Sequence, residues 1–180
     1  MNSEEDFIKR LITASTKESA FRELLSLYKV RLYWHIRHIV KSHEDADDVL
    51  QNTFIKIYKN IKNFKGDSKL FSWMYRIATN EAITHLNKNK KRVSITNEET
   101  HQHLINSLKA DVYFEGEAIQ YKLQQAIAIL PNKQQLVFNM RYFQEIPYKE
   151  LSEILETSEG ALKASYHIAA KKIEAFLTAH

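Results

Sequence analysis

Apolar residues recur through most of the chain at intervals of three and four, the spacing that places them on one face of an α-helix. In the N-terminal half this pattern predicts helices over residues 4–14, 17–41 and from His43 onward. A fourth helix follows a short loop at 66–68 and extends to Arg92. The pattern indicates a helical bundle in which each helix turns one face towards a shared core.

The third predicted helix has a second face that a core does not explain. On it, an isoleucine and a tyrosine lie among acidic and amide residues, as in a groove that receives a partner helix. The residues of this face are Asp48, Gln51, Asn52, Ile55 and Tyr58. We interpret them as a binding surface for another protein.

The fourth predicted helix also has two faces. The apolar face, which predicts burial, carries Phe71, Met74, Tyr75, Ala78, Ala82 and Leu86. The opposite face carries Trp73, Arg76, Asn80, Thr84 and Asn87. A planar aromatic ring, a guanidinium, amides and a hydroxyl can stack on unpaired bases or form hydrogen bonds to them.

Positive charge is concentrated around this fourth helix. Between residues 54 and 92 there are ten basic and two acidic residues, a net charge of +8, whereas the whole chain carries +4. A charge run alone more often marks a solvated face, but here it coincides with the tryptophan and the amides. We therefore interpret this surface as one that binds nucleic acid. Its loop and basic residues are Lys65, Gly66, Asp67, Ser68, Lys88, Lys90, Lys91 and Arg92.

The C-terminal residues 119–180 form a second periodic segment. One helix ends at Pro131, two more are predicted over 133–142 and 148–156, and the last follows a turn at 157–160. Two short helices joined by such a turn predict a helix-turn-helix. The outward residues at the start of the last helix and along it are Glu159, Gly160, Lys163, Ala164, His167 and Lys171.

Composition supports a helical protein with a linker. Residues 93–118 contain five acidic residues and one lysine, and their apolar residues keep no helical period, which predicts a flexible linker. Only three glycines and two prolines occur among the 180 residues, too few for the turns that sheets require. The sequence thus predicts an all-α protein of two small helical domains, 1–92 and 119–180.

Other features limit the function classes. No apolar run reaches the roughly 18 to 20 residues of a membrane span, and the acidic N-terminus differs from a secretory signal, so we expect a cytoplasmic protein without membrane insertion. His43 with Asp45, Asp47 and Asp48 leaves a metal-dependent enzyme as an alternative, although these side chains diverge around a helix. We expect no cofactor, no metal and no catalytic residue.

Two stretches of the chain resemble a known family, the extracytoplasmic-function (ECF) sigma factors of bacterial RNA polymerase in the sigma-70 superfamily. Conserved region 2 of that family resembles DADDVLQNTFIKIYKNIKNFKGDSKLFSWMYRIATNEAI. Region 4 resembles AIAILPNKQQLVFNMRYFQEIPYKELSEILETSEGALKASYHIAAKKIEAFL. The resemblance extends from about Phe21 to Leu177 and is specific because both stretches occur in this order and spacing.

The resemblance implies a transcription initiation factor that binds core RNA polymerase and promoter DNA, with an anti-sigma factor as a further candidate partner. It implies that the helix with Asp48 and Gln51 docks on the polymerase clamp. It also implies that the 66–68 loop and the helix with Trp73 melt and hold the −10 element, whereas the last helix reads the −35 element. A helix-turn-helix regulator that binds operator DNA without polymerase stays open as an alternative.

Overall fold

The structure, a computed structural model, describes residues 3–92 and 118–179, with side chains described over 4–89 and 121–179. These residues form eight α-helices, one 3-10 turn at Ile61–Asn63 and no strand, which confirms the all-α prediction. None of these helices is long and apolar enough to cross a membrane. In chain order they are α1 (Ser3–Ile12), α2 (Lys17–Val40), α3 (His43–Asn60), α4 (Leu70–Arg92), α5 (Ala118–Ala128), α6 (Asn132–Tyr142), α7 (Tyr148–Leu155) and α8 (Glu159–Ala179).

The chain divides into two compact units, Met1–Leu86 and Asn87–His180. The domain limits expected from the sequence, 1–92 and 119–180, stay predictions. Residues 93–117 of the expected linker lie outside the described residues. Ala118, which the sequence pattern assigned to the linker, is the first residue of α5.

The first unit is held together by the buried faces of α2, α3 and α4. From α2, Leu24, Leu32 and Ile36 are completely buried. The opposite face of α3 and the turn after it form a buried stripe: Val49, Leu50, Thr53, Phe54, Ile57, Ile61 and Phe64. The expected inner face of α4 is buried at Met74, Tyr75, Ala78 and Ala82, and partly buried at Phe71 and Leu86. The hydrophobic period therefore located this core correctly.

Local sequence explains how α2 ends and α3 begins. Lys41 closes α2 in the left-handed conformation, with φ +66°, and its N–H donates to the carbonyl of Arg37 at 3.0 Å. Ser42 then caps α3, because its hydroxyl accepts a hydrogen bond from the Asp45 N–H at 3.3 Å. Glu44 and Asp45 occupy the first turn of α3, where the positive end of the helix dipole favours them.

The second unit has its own core. Buried residues of α5, α6, α8 and the turn between α5 and α6 pack as one cluster made of Ala126, Ile127, Leu130, Phe138, Ala169 and Ile173. Leu151 and Ile154 of α7 and Leu162 of α8 are also buried. The turn expected at 157–160 is shorter in the structure, because α8 already begins at Glu159. The hydroxyl of Ser158 accepts a hydrogen bond from the Ala161 N–H at 3.4 Å and caps the helix, so Glu159 and Gly160 belong to its first turn.

Candidate functional site

The first candidate site is an apolar groove between the start of α2 and the outer face of α3. It has a volume of about 350 Å³. Ile55 and Tyr58 are 45% and 36% exposed, and the polar residues Asp48, Gln51 and Asn52 are exposed beside them. The groove is lined by Phe21, Leu25, Gln51, Phe54, Ile55, Tyr58 and Lys59. Asp48 and Asn52 lie outside this lining, so they can act only at its rim.

Sequence reasoning missed the contribution of α2 to this groove. Phe21 and Leu25 follow the period of the buried stripe, but the structure leaves both of them only partly buried. The Phe21 ring meets Tyr58 edge to face, with centroids 4.9 Å apart and an interplanar angle of 77°. The hydrophobic period describes one helix at a time, so it could not have indicated that α2 and α3 together form a concave surface.

Tyr58 is further restrained by Lys17, the first residue of α2. The Lys17 Nζ donates a hydrogen bond to the backbone carbonyl of Tyr58 at 3.0 Å. The same ammonium lies 3.7 Å from the centroid of the Tyr58 ring, well within the range of a cation–π contact. The ring at one end of the groove therefore has a defined orientation before any partner binds.

The second candidate site begins at the loop before α4. Gly66 has φ +80°, a conformation that only glycine adopts without strain, so its position in the loop is fixed by backbone geometry. Lys65 and Asp67 are exposed, and Ser68 is partly buried. The carboxylate of Glu4 accepts a hydrogen bond from the Leu70 N–H at 3.0 Å, which satisfies one of the free donors at the start of α4.

Along α4, the outer face is polar as the pattern predicted. Asn80, Thr84, Asn87 and Lys88 are exposed, and Arg76 is partly buried. The backbone of Lys90, Lys91 and Arg92 continues the helix, but their side chains lie outside the described side chains. Glu81, which is 16% exposed, is held by Lys56 of α3.

Trp73 is less exposed than its position on the polar face of α4 suggested. It is only partly buried, but its ring lies 5.3 Å from the ring of Phe64, which precedes the loop. Phe64 itself is 8% exposed. The tryptophan thus rests on the residue that closes the core beneath the loop, and one part of its surface stays open to a ligand.

Polar contacts fix α4 against the other helices. The buried His35 Nε2 lies 2.8 Å from the Thr79 hydroxyl, which in turn donates to the Tyr75 carbonyl at 2.8 Å. The Asp45 carboxylate lies 2.8 Å from His85 Nε2. Burial raises the pKa of Tyr75 to about 12, so this phenol is uncharged at neutral pH. These contacts hold the outer face of α4 in a fixed direction.

The third candidate site is the outer face of α8 in the second unit. The six residues predicted to face outward, from Glu159 to Lys171, are all exposed. Lys163 forms an ion pair with Glu159 at 3.4 Å. Its ammonium also lies 5.5 Å from the centroid of the Tyr148 ring in α7. Tyr148 is partly buried and helps to orient Lys163.

The alternative metal site does not assemble among the described residues. His43 contacts the Tyr33 hydroxyl at 2.5 Å and the Asp47 carboxylate at 3.6 Å, whereas Asp45 is engaged by His85. Within the described ranges no group of three or more His, Cys, Asp or Glu side chains could hold a metal ion.

Comparison with known sequences points to one family. The family model described as Sigma-70 region 2 matches residues 24–92, and the model described as Sigma-70, region 4 matches residues 120–173. The ECF RNA polymerase sigma factor SigW of Bacillus subtilis is 29% identical over 173 residues, which cover 91% of this chain and 92% of SigW. The RNA polymerase sigma-H factor of Pseudomonas aeruginosa is 26% identical over 163 residues, covering 86% of this chain and 84% of that protein.

Solved structures share the fold. CnrH, in complex with the cytosolic domain of CnrY, superimposes with a TM-score of 0.70 at 18% identity and covers 99% of both chains. The sigma factor RpoE, in complex with the anti-sigma factor NepR from Bartonella quintana, gives a TM-score of 0.67 at 18% identity and covers 88% of this chain and 96% of RpoE. At such identities the likeness concerns the fold alone.

Proposed function

Because the chain belongs to the sigma-70 family and is of its ECF type, we propose that it is a transcription initiation factor that binds core RNA polymerase and directs it to specific promoters. The observation that carries this proposal is the presence of both family regions in one chain, in order, over residues 24–92 and 120–173. The chain performs no chemistry itself. Its place of action is the cytoplasm, where polymerase and DNA are found.

The groove between α2 and α3 is the docking surface for polymerase. Its apolar floor is suited to the side chains of a partner helix, and its rim offers hydrogen-bonding groups at Gln51 and Lys59. Asp48 and Asn52 extend this polar rim along α3. Burial of Ile55 and Tyr58 by the partner would supply the main apolar contribution to binding.

The outer face of α4 and the preceding loop hold the −10 element. Its amide and hydroxyl groups at Asn80, Thr84 and Asn87 are exposed, and they can form hydrogen bonds to the edges of unpaired bases. Trp73 offers a ring on which a base can stack. The basic residues from Lys88 onward neutralise phosphates of the same strand.

The outer face of α8 reads the −35 element in the major groove. A recognition helix enters that groove with its N-terminal residues, and here these include Glu159 and Lys163. Farther along the same face, His167 and Lys171 are exposed. Because Lys163 is already paired with Glu159, DNA must compete with this ion pair or bind both groups together.

An anti-sigma factor is the further partner that we propose. RpoE, which shares this fold, was solved in complex with the anti-sigma factor NepR, and CnrH was solved in complex with the cytosolic domain of CnrY. An inhibitor that covered the groove of Ile55 and Tyr58 would prevent polymerase from docking.

An operator-binding regulator that works without polymerase is not favoured. Such a protein needs its positive charge on the helix-turn-helix, but residues 119–180 contain seven basic and six acidic residues. The net charge of +8 lies instead between residues 54 and 92. This charge therefore lies on the segment from α3 to the end of α4 and not on the helix-turn-helix.

Run-off transcription tests the proposed function. Purified core polymerase would be incubated with genomic DNA fragments, with and without the chain, and the 5′ ends of the transcripts sequenced. We expect start sites that depend on the chain and share two upstream elements. Absence of any start site that depends on the chain, together with tight duplex binding by the chain alone, would contradict the proposal.

A further inference from the structure

The electrostatics of α2 do not explain why a lysine, Lys17, stands at the start of this helix. It is the first residue of α2, where the positive end of the helix dipole disfavours a cation. The ammonium reaches instead to the end of α3, 41 residues away in sequence, and donates to the Tyr58 carbonyl at 3.0 Å. The carbonyls of the last helical turn carry partial negative charge, so this tertiary contact is the favourable one.

The same ammonium also contacts the side chain of Tyr58. It lies 3.7 Å from the ring centroid, while the edge-to-face contact with Phe21 restrains the ring from a second direction. Lys17 makes no ion pair with any described residue, so its described polar contacts are both made to Tyr58. One residue thus receives both the hydrogen bond and the cation–π contact.

Tyr58 forms part of the groove and is 36% exposed. An exposed side chain of this kind loses rotamer freedom when a partner immobilises it, and this loss opposes binding. A ring that is already held in the binding orientation loses less. By restraining Tyr58, Lys17 can therefore strengthen the binding of a partner that it does not itself contact.

We propose that Lys17 is a positioning residue for polymerase docking, which holds the Tyr58 ring in the orientation that completes the groove. This inference rests on the proposed function. It also goes beyond the family comparison, because the region 2 model begins at residue 24 and assigns no role to the helix start that carries Lys17.

A double-mutant cycle tests the proposal. The dissociation constant for core polymerase is measured by anisotropy of the labelled full chain for the wild type, Lys17→Met, Tyr58→Ala and the double variant. Lys17→Arg keeps a cation that can donate and contact a ring, so it should restore binding. Arg10→Met is the matched control, because Arg10 pairs with Glu23 at 2.7 Å and does not touch Tyr58.

We expect Lys17→Met to weaken binding about 3- to 10-fold, Tyr58→Ala to weaken it further, and the double variant to bind no more weakly than Tyr58→Ala. Ring resonances of Tyr58 in the free protein should shift in Lys17→Met and return in Lys17→Arg. A purely structural role would not produce this pattern, because its effect on binding would add to that of Tyr58→Ala.

Three results would overturn the proposal: unchanged binding by Lys17→Met, full additivity in the double variant, or unchanged binding by Tyr58→Ala. In each of these cases polymerase binding by the wild type still supports the proposed function. If the wild type itself fails to bind core polymerase, the proposed function fails, and the positioning role fails with it.

Discussion

The carboxylate of Glu4 in α1 accepts a hydrogen bond from the backbone N–H of Leu70, the first residue of α4, at 3.0 Å. The two residues are 66 positions apart in sequence. A negative charge at a helix N-terminus interacts favourably with the helix dipole, so Glu4 acts as a cap supplied by another helix. Through this contact α1 supports the start of the helix that we assign to the −10 element.

Loss of this cap should destabilise the first unit. We expect Glu4→Ala to lower the free energy of unfolding by about 1 kcal/mol, and Glu4→Gln, which keeps an acceptor without the charge, to lower it by less. Urea unfolding followed by tryptophan fluorescence is the measurement, since both tryptophans, Trp34 and Trp73, lie in this unit. Glu5→Ala, at an exposed site in the same turn, is the control. Equal effects at Glu4 and Glu5 would contradict the capping role.

Lys41 should be a site where substitution stabilises the protein. Its φ of +66° costs a residue with a side chain about 1 kcal/mol relative to glycine. Burial, and to a smaller extent the nearby Arg37, lower the pKa of Lys41 from 10.5 to about 8. We expect Lys41→Ala to remove the cost of the partly buried charge, and Lys41→Gly to remove the backbone strain as well. Urea unfolding at pH 7 should give the lowest free energy of unfolding for the wild type, a higher value for Lys41→Ala and the highest for Lys41→Gly.

The pH dependence at Lys41 has a definite sign. Below pH 8 the lysine is charged in both the folded and the unfolded protein, so the folded state bears the full cost of its burial. Between pH 8 and 10.5 the unfolded state binds more protons than the folded state, and wild-type stability therefore rises with pH. The advantage of Lys41→Ala over the wild type should shrink between pH 7 and pH 10. An advantage that stays constant across this range would show that the charge is not responsible.

The docking groove and the α4 surface should be separable by mutation. Asp48→Ala with Gln51→Ala should weaken co-elution with core polymerase, because these exposed side chains flank the groove. Asn80→Ala with Thr84→Ala should leave co-elution intact and reduce permanganate reactivity of thymines in the −10 element. Asn80 and Thr84 are preferable to Trp73, whose truncation would also remove its packing on Phe64. Equal loss of polymerase binding in both pairs would contradict the assignment.

Recognition of the −35 element should depend on Lys163. If its ammonium contacts a base edge, Lys163→Ala should cost about 1 to 3 kcal/mol and relax the preference at one position. Promoter selection from a randomised −35 library, with polymerase present, measures both effects. Lys172→Ala is the control on the same helix, because Lys172 donates to Gln134 at 3.2 Å. Unchanged selection in Lys163→Ala would assign this residue a structural role.

The hydrophobic period was sufficient to predict most of the helices and their buried faces. The stripe from Val49 to Ile57 is an example, because the burial of each of its members follows from its position along a single helix. The start of α8 was predicted less well, since Gly160 was read as a turn residue whereas Ser158 caps a helix that already contains it. From the sequence alone, a glycine in the first turn of a helix cannot be distinguished from a glycine in a loop.

Contacts between distant helices could not be predicted. Glu4 with Leu70, Lys17 with Tyr58 and Asp45 with His85 join positions 66, 41 and 40 residues apart. Each joins one isolated pair of residues, so it leaves no periodic trace in the sequence. The exposed residues of the candidate surfaces were identifiable from their helical positions, but the shape of the groove depends on how α2 packs against α3.

We propose that the chain acquires promoter specificity only together with polymerase. Unpairing and flipping a base costs a few kcal/mol, and a short basic surface does not supply this at physiological salt. Polymerase can supply it by holding both units on one promoter, which raises their effective concentration there.

The most direct measurement is fluorescence anisotropy on a promoter identified by run-off transcription, at physiological salt. Duplex DNA and the single-stranded non-template oligonucleotide would each be titrated with the chain, in the presence and absence of core polymerase. We expect the free chain to bind the duplex weakly and without sequence preference, and to become specific when polymerase is added. Tight, sequence-specific duplex binding by the free chain would show that its specificity does not depend on polymerase.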